Sequence, residues 1–424
     1  MKDQKLHHLD DTDYRRALLA SLMAQGLDEG AAWEKLPDQR RSTSTASRDK
    51  GAAEKKRWLV TRFAEELFDE ALLAKIRKDT AHHAGTRDEL EKELRELSCG
   101  VLKSVWVFNA GEEAKPKDQA EWDWQIGNLA RNSDWLIQKL LLQSQTGIAV
   151  GWGKTIAESI AAVASRFKRG LGETKGNGRK KIAVIPTVGT PPGASPSDLE
   201  HSSTKLAANT SEAINGTSND CLSLDNTWIV IPPELKNEDQ RWGFLMANYR
   251  LPGGGFERIF GRPNHPEGQT PLIEVVDTAL TSAGGFHNES FFQKQLVDTG
   301  GVPLDELKEL AAGDIGSALI SHEQIRGHSE LEGRFAEILR LLPGIRLSHY
   351  RNIARRAAAH GDDGPAGVVL LALNGNKAKI ALNCVRHQAV SVLVIDYHLA
   401  ASLKALLAEE RKKQTGGRAA GTSL

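Results

Sequence analysis

Apolar residues in the first hundred positions recur at intervals of three and four, which is the spacing of an amphipathic helix. Gly26 and Pro37 interrupt this pattern, because glycine often ends a helix and the residue before proline disfavours helical geometry. Hydroxyl side chains from Ser42 onward offer an N-terminal cap to the third repeat. The pattern predicts helices over 14–25, 27–36, 42–58, 59–78 and 86–97.

Beyond Cys99 short apolar runs alternate with helical segments. The predicted strands are 101–108, 147–150, 182–186, 226–231, 272–281, 366–373 and 390–395, and the predicted helices are 121–142, 156–167 and 377–386. This alternation is typical of a parallel sheet covered by helices, so we expect an α/β domain. Segments 191–222 and 252–269, rich in turn-forming residues, predict surface insertions, and 410–424 predicts a disordered tail.

Composition narrows the class of protein. The chain has 424 residues, with 55 basic and 55 acidic side chains, so its formal net charge is zero. That balance excludes a basic coat over the whole surface. The length predicts one large domain and a smaller one. The pattern of elements along the chain places the small domain at 1–62, a helical arm at 63–98 and the large domain at 99–409. Without a long apolar run, a secretory signal or paired cysteines, we expect a cytoplasmic protein with no membrane or metal association.

The zero total hides a basic block, because residues 39–62 carry eight basic and two acidic side chains. Such a density attracts a phosphate backbone. The helices on either side of this block's start have the rhythm of a helix-turn-helix, whose second helix enters the major groove with its N-terminal side chains. The alternative is a helical interaction module with a solvated charged face. The predicted DNA-reading residues are Arg40, Arg41, Ser42, Thr43, Thr45, Ser47, Arg48 and Lys50.

The segment from Gly151 to Thr155, GWGKT, lies between a predicted strand and a predicted helix. Glycines let the backbone approach a ligand closely, and a helix N-terminus offers unpaired N–H groups to an anion. Lys154 adds a positive charge, and Thr155 adds a hydroxyl. A Walker A loop is disfavoured because Ile148 occupies the position where that motif needs glycine. The pattern therefore favours another kind of phosphate site at Gly151 and Gly153, with a turn that binds no ligand as the alternative.

Several segments share their pattern with a known family. STASRDKGAAEKKRWLV has the pattern of a recognition helix, and GIAVGWGKTIAESIAAV that of a strand followed by a phosphate-binding turn. DTALTSAGG, AAGDIGSALI and the closing segment NGNKAKIALNCVRHQAVSVLVIDYHLAASL continue the likeness. Together they resemble the SorC-type (SorC/DeoR) sugar-binding transcriptional regulators. The chain is longer than the usual member, chiefly through its two insertions, and the turn around residues 38–41 is lengthened.

The resemblance implies a DNA-binding repressor or activator that is not an enzyme and uses no cofactor. It implies a C-terminal effector domain with the fold of sugar-phosphate isomerases and CoA transferases, assembled as a dimer or tetramer. The expected partners are double-stranded operator DNA and a small effector, a phosphorylated sugar or related metabolite. By resemblance, Gly153, Lys154 and Thr155 hold the phosphate, Lys377 is a second anion contact, and Asp277, Asp314 and Gly189 lie near the sugar hydroxyls.

Two other functions stay open at this stage. The first is an isomerase-type enzyme on the same fold, since fold alone does not decide function. It would need a carboxylate as general base, for which Asp277, Asp314 and Asp396 are candidates. The second is a regulator that binds an effector or a protein and has lost DNA binding, which the lengthened turn suggests.

Overall fold

The computed structural model describes most of the chain beyond residue 84 and a smaller part before it. The described residues are 11–24, 36, 49–50, 52–53, 72, 84–111, 116–169, 181–189, 199–218, 221–222, 224, 230–248, 255–261, 270–285, 295–361 and 363–420. Helix α1 spans Asp11–Ala24, close to the prediction of 14–25. Of the eight predicted DNA-reading residues, Lys50 lies in a helical segment, and the other seven lie outside the described residues.

Asp49, within the predicted helix 42–58, forms hydrogen bonds to α1. Its carboxylate is 2% exposed and accepts hydrogen bonds from Arg15 Nε at 2.8 Å and Arg16 Nε at 3.1 Å. A buried carboxylate is stable only when it is paired in this way. The described residues 49, 50, 52 and 53 are helical, as predicted for 42–58.

A parallel sheet forms the centre of the large domain. The strands are β1 (Ser104–Phe108), β2 (Gly147–Val150), β3 (Ala183–Pro186), β4 (Thr278–Gly284), β5 (Ala311–Ile315), β6 (Ala318–Ser321), β7 (Gly367–Ala372) and β8 (Val392–Asp396). Their order is β1-β8-β7-β4-β2-β3, and every neighbouring pair along this path is parallel. Strands β5 and β6 form a hairpin that pairs antiparallel with the end of β4. The α/β fold expected from the sequence is confirmed.

Helices cover both faces of the sheet. They are α2 (Ala84–Leu97), α3 (Gln119–Leu142), α4 (Lys154–Lys168), α5 (Ser203–Asn215), α6 (Glu238–Asn248), α7 (Gly255–Phe260), α8 (Leu272–Val275), α9 (Leu304–Leu310), α10 (Ser329–Arg340), α11 (Leu347–Ala359), α12 (Ala378–Arg386) and α13 (Tyr397–Ala420). Alternate residues of β7 point to opposite faces. Val369 and Leu371 pack with α3, α4 and α5, whereas Val368 and Leu370 pack with α2, α11, α12 and α13. Burial on both faces explains why the strands are continuously apolar.

The order of the strands reverses direction between β2 and β4. From β2 the chain moves outward to β3, whereas from β4 it moves the other way, through β7 to β8. Neighbouring strands whose connections leave in opposite directions open a crevice at their carboxyl ends, where ligands bind in this class of fold. The topology therefore directs attention to the residues that follow β2 and β4.

Several sequence predictions need correction. The predicted strand 272–281 is the short helix α8 followed by β4, and residues 230 and 231 are not in a strand. The predicted insertions at 191–222 and 252–269 contain helices α5 and α7, and α13 continues the chain as a helix to Ala420. Among the described helices, none combines the length and the hydropathy that a membrane span requires.

Candidate functional site

The turn after β2 brings the chain close to the end of β4, and its glycines make this approach possible. Gly151 N–H donates to the Leu280 carbonyl at 2.8 Å, and a Cβ at position 151 would lie 3.1 Å from Thr281 Oγ1. Gly153 has a φ of +110°, a conformation that side chains rarely adopt. Larger residues at either position would therefore disturb the junction of β2 and β4.

Helix α4 starts directly after this turn and points its N-terminus toward the crevice. The first turn of a helix leaves N–H groups without intrahelical acceptors. The Gly153 N–H donates to the His201 carbonyl at 3.0 Å, so it is already committed. The N–H groups of Lys154 and Thr155 lie in the first turn of α4. They are the donors that a phosphate would meet at this end of the site.

The Lys154 side chain turns toward α3. Its Nζ lies 2.6 Å from Asp123 Oδ1, and both side chains are about one-third exposed. Burial is the largest single influence and raises the pKa of Asp123, but hydrogen bonds from Lys154 and Gln119, together with nearby positive charge, outweigh it and hold the pKa below its usual range. The Lys154 ammonium group is therefore already paired with a carboxylate at the rim of the crevice, and its positive charge lies to one side of the α4 N-terminus.

Asp314 faces the end of β4 from the hairpin. A Cβ at Gly284 would lie 2.2 Å from Asp314 Oδ1, so only glycine fits opposite this carboxyl. Ser317 N–H donates to Asp314 Oδ2 at 3.1 Å. Burial raises the pKa of Asp314 to about 7, while that hydrogen bond and the charge of Lys377 act in the opposite direction. Near neutral pH the Asp314 side chain is therefore poised to donate or to accept a hydrogen bond.

Lys377 lies on the other side of Asp314, in a 3-10 turn after β7 that spans Gly375–Lys377. The side chain is half-buried, and burial lowers its pKa while the charge of Asp314 raises it. Asp396, at the end of β8, fixes this turn by accepting the Asn374 N–H at 3.0 Å. Asp396 also accepts the Leu399 N–H at 3.0 Å and thereby holds the start of α13.

A group of buried hydroxyls lies beneath the site, and the sequence gives no warning of it. A Cβ at Gly316 would lie 2.5 Å from Tyr350 Oη, 2.7 Å from Thr281 Oγ1 and 3.5 Å from Thr187 Oγ1. Burial raises the pKa of the Tyr350 phenol well above its usual range, and the two threonines offset this only in part. Neither threonine forms a well-aligned hydrogen bond with the phenol, and Tyr350 Oη and Thr281 Oγ1 have no partner within the described residues.

Most of the predicted effector residues come together at the carboxyl edge of the sheet. Gly189 lies three residues after the end of β3, beyond Thr187. The residues at this edge are Gly151, Gly153, Lys154, Thr155, Gly189, Asp314 and Lys377. We call this region the sheet-edge site. Thr187, Thr281 and Tyr350 join it from strand ends and from α11, and none of the three was predicted from the sequence.

Asp277 is the exception, because it lies away from the other predicted effector residues. It precedes β4, at the amino edge of the sheet, so β4 itself separates it from the sheet-edge site. Its carboxylate accepts hydrogen bonds from Ser144 Oγ at 2.6 Å, Gln145 N–H at 2.8 Å and Thr146 N–H at 2.9 Å. Asp277 therefore fixes the turn between α3 and β2, and it is not available as a general base.

The sheet-edge site combines features that would suit a small anionic ligand. The α4 N-terminus and Lys154 suit a phosphate, while Asp314, Lys377 and the buried hydroxyls suit a polyhydroxylated body. Within the part of the chain that the structure describes, no group of His, Cys, Asp and Glu side chains could hold a metal ion. Cys99, Cys221 and Cys384 form no disulfide bonds with one another.

Comparisons with solved structures find proteins of similar fold. A transcriptional regulator from Streptococcus pneumoniae TIGR4 has a TM-score of 0.50 at 16% identity, over 78% of this chain and 100% of that one. The full-length sorbitol operon regulator SorC from Klebsiella pneumoniae has a TM-score of 0.48 at 14% identity, over 93% and 99%. A DeoR family transcriptional regulator from Listeria monocytogenes has a TM-score of 0.46 at 16% identity, over 75% and 99%.

At these identities the likeness to the Streptococcus pneumoniae regulator is one of fold. No protein-family model matches the sequence, and no curated protein matches it either.

Proposed function

We propose that this protein is a transcription regulator that senses a phosphorylated sugar, or a related phosphorylated metabolite, at the sheet-edge site. The N-terminal helices bind double-stranded operator DNA, and the effector alters their affinity. The observation that carries the proposal is a convergence at the reversal of strand order. There the glycine turn before α4 approaches the buried Asp314 and the half-buried Lys377. This is where ligands bind in open α/β sheets.

The phosphate is proposed to sit at the start of α4. Backbone N–H groups and the positive end of the helix dipole favour an anion there. Lys154 adds charge from the rim, but its contact with Asp123 at 2.6 Å must be shared or broken when the phosphate binds. We therefore expect Lys154 to contribute less to affinity than the backbone of the turn.

The sugar is proposed to lie across Asp314 and Lys377. A neutral Asp314 can donate to one hydroxyl and accept from another, and Lys377 donates to an oxygen or to a second anionic group. The unpartnered hydroxyls of Thr281 and Tyr350 lie just below. Buried polar atoms without partners are costly, so a hydroxylated ligand or water that pairs with them stabilises the site.

The arm that leads to the DNA-binding segment is fastened to the effector domain. Helix α2 packs near β1, and Glu91 Oε2 accepts the Val105 N–H at 2.9 Å. Lys404 and Arg411 of α13 form ion pairs with Glu89 and Glu93 of α2. The start of α13 is in turn held by Asp396 beside the Lys377 turn. We propose that a ligand at the sheet-edge site shifts α13 and thereby α2, within a dimer or tetramer that binds two half-sites.

A second candidate function follows from one observation. Asp314, with its pKa near 7, has the property of a general base, and it lies beside a site that suits sugars. An isomerase that acts on a sugar phosphate would use this carboxyl. Turnover of a sugar phosphate that disappears in Asp314→Asn would favour the enzyme, whereas binding without turnover favours the regulator.

A thermal-shift screen of phosphorylated sugars tests the effector proposal. We expect at least one compound to raise the unfolding temperature of the wild type, since a ligand at about a hundred times its Kd adds about 2.7 kcal/mol. Lys377→Met should abolish the shift, and Lys154→Ala with Thr155→Ala should weaken it. Lys379→Met is the matched control, because Lys379 is an exposed lysine two residues away. A full shift in Lys377→Met would contradict the proposal.

A further inference from the structure

A cavity of about 710 Å³ lies outside the sheet-edge site, between α6, α7, α10 and the start of α11. None of the predicted effector residues lines it. Its size falls within the range of cavities that hold small molecules, which is about 300–1,000 Å³. We call it the arginine cavity, after the four arginines in its wall: Arg241, Arg340, Arg346 and Arg351.

One wall of the arginine cavity is a chain of aromatic rings. Trp242 and Phe256 have ring centroids 6.1 Å apart, and Phe256 and Phe260 are 5.0 Å apart. The imidazole of His349 is stacked on Phe260, with centroids 6.4 Å apart and ring planes at 29°. Such a wall presents flat apolar surface on which another ring can pack.

The rest of the lining is positively charged, because it contains the four arginines and a single carboxylate, Glu238. Arg340 pairs with Glu337 at 2.6 Å, and Arg351 donates to the His387 carbonyl at 2.7 Å. The guanidinium groups of Arg241 and Arg346 form no ion pair within the described residues. Burial lowers the pKa of Arg241, and repulsion from Arg340 and Arg346 adds to this effect, whereas the charges of Glu238 and Glu337 oppose it. The cavity therefore holds unbalanced positive charge.

His349 does not add to that charge. Burial and the neighbouring Arg346 lower the pKa of His349 to about 4, so its ring is neutral at physiological pH. Its Nδ1 is 3.0 Å from the Arg346 N–H, which can only donate, so Nδ1 accepts and the ring proton lies on Nε2. The imidazole is thus a neutral hydrogen-bond donor within an aromatic wall.

We propose that the arginine cavity binds a small anion that carries an aromatic ring, a phosphate or carboxylate of about mononucleotide size. The ring packs on Trp242, Phe256 and Phe260, and the anionic group pairs with Arg241 and Arg346. Guanidinium groups suit this role, because their donors match phosphate and carboxylate oxygens two at a time. A plain inorganic anion would leave the aromatic wall unused, and a neutral ring would leave the charge unbalanced.

The arginine cavity adjoins the sheet-edge site without sharing its ligand groups. The Ile345 N–H donates to the Thr187 carbonyl at 3.1 Å, and Gly344 lies against the same carbonyl. Arg346 and His349 line the cavity, whereas Tyr350 points to the buried hydroxyls of the other site. A test must therefore distinguish the two sites by variants as well as by ligands.

Titration calorimetry of the full chain with three probes tests this inference. The probes are phenyl phosphate, inorganic phosphate and benzyl alcohol. We expect phenyl phosphate to bind at least about tenfold more tightly than either of the other two. Arg241→Gln with Arg346→Gln should weaken phenyl phosphate at least about tenfold. Equal binding of phenyl phosphate and inorganic phosphate to the wild type would overturn the proposal, as would undiminished binding to this double variant.

Two controls separate this outcome from other causes. Arg326→Gln removes an arginine that is 70% exposed and lies outside the cavity, and it should bind phenyl phosphate like the wild type. Lys154→Ala with Thr155→Ala alters the sheet-edge site and should also leave this binding intact. Loss of phenyl phosphate binding in that variant would instead assign the probe to the sheet-edge site and overturn the proposal. Arg346→Glu, a single charge reversal, repeats the test in case the double variant fails to fold.

Discussion

The carboxyl group of Asp314, in the sheet-edge site, gains or loses its proton near pH 7. Burial raises the pKa of its carboxyl to about 7, from about 4 in an unfolded chain. The folded protein therefore holds this proton more tightly than the unfolded one. Below pH 4 both states are protonated, and the folded state carries no penalty. As the pH rises from about 4 to about 7, the unfolding free energy that comes from Asp314 falls, and above 7 the loss is complete.

Asp314→Asn should remove this dependence. The variant should be more stable than the wild type above pH 7, by about 4 kcal/mol as an upper limit, and should differ little below pH 4. Denaturant unfolding at a series of pH values measures the difference. Asp305→Asn, at an exposed aspartate in α9, is the control and should show no such trend. A constant difference between the Asp314→Asn variant and the wild type at all pH values would refute the assignment.

Gly316 allows a second comparison at the scale of one residue. Its φ is +51°, and a Cβ there would lie 2.5 Å from Tyr350 Oη. Gly327 has a φ of +82° and nothing within 4 Å of its Cβ position. Gly327→Ala should cost about 1 kcal/mol from backbone strain alone. Gly316→Ala should cost at least about 1 kcal/mol more, because it also overpacks the buried hydroxyls. Thermal unfolding measures both losses. Equal losses in Gly316→Ala and Gly327→Ala would show that the side chains around Gly316 shift to make room for the new Cβ.

How much of the site could be predicted depends on how local each signal is. Gly151 and Gly153 belong to one short turn between a strand and a helix, so their pattern is visible in five residues. Asp314 and Lys377 were placed only through the family resemblance, since a lone lysine or aspartate is ordinary on any surface. Tyr350 joins the site from α11 by tertiary packing, and no spacing along the chain announces it.

At the scale of elements, Asp277 shows that a residue beside a predicted strand can lie at either edge of the sheet. Strand β4, which follows Asp277, does lead to the sheet-edge site. The Asp277 carboxylate, however, lies at the amino edge of the sheet, seven residues before the strand's last residue, Gly284. Its three hydrogen bonds fix the turn between α3 and β2. A strand's first residue and its last residue lie on opposite edges of the sheet, and sequence alone did not separate them.

Asp277→Ala should lower stability and leave effector binding unchanged. Removing the carboxylate leaves two backbone N–H groups without their acceptor, at a cost of about 3 kcal/mol. Thermal unfolding measures the loss, and calorimetry with the sugar phosphate found in the screen should give a Kd close to the wild-type value. Asp277→Asn should recover part of the stability, because its amide oxygen still accepts. A large loss of affinity at unchanged stability would place Asp277 in the binding site after all.

The elements that sequence reasoning missed share a physical cause. Helix α5 lies in a stretch rich in Ser, Thr and Asn, yet Ser203, Thr210 and Ser211 are buried. Their hydroxyls bond to nearby carbonyls, Ser203 to Val150 and Thr210 to Leu206, which lets small polar residues pack like apolar ones. A polar composition therefore resembled a surface loop. By contrast, the apolar strands β7 and β8 were predicted within one or two residues.

At the scale of the molecule, the zero net charge is the sum of a basic N-terminal block and a slightly acidic remainder. The basic block at 39–62 precedes the large α/β domain, where some charged side chains form ion pairs, such as Lys154 with Asp123 and Arg334 with Glu306. Under the proposed function, a single basic block suits a protein that binds DNA in one place only. The connection between the two parts is α2, held to α13 by ion pairs that span the chain.

The central claim is that a phosphorylated sugar controls DNA binding, and one titration tests it most directly. Duplexes enriched by the full chain from a random library are titrated by fluorescence anisotropy at several salt concentrations, with and without the sugar phosphate found in the screen. We expect log affinity to fall linearly with log salt, and the effector to change the affinity by about 5–150-fold in the wild type but not in Lys377→Met. Binding that ignores salt, or that is identical with and without the effector, would contradict the account.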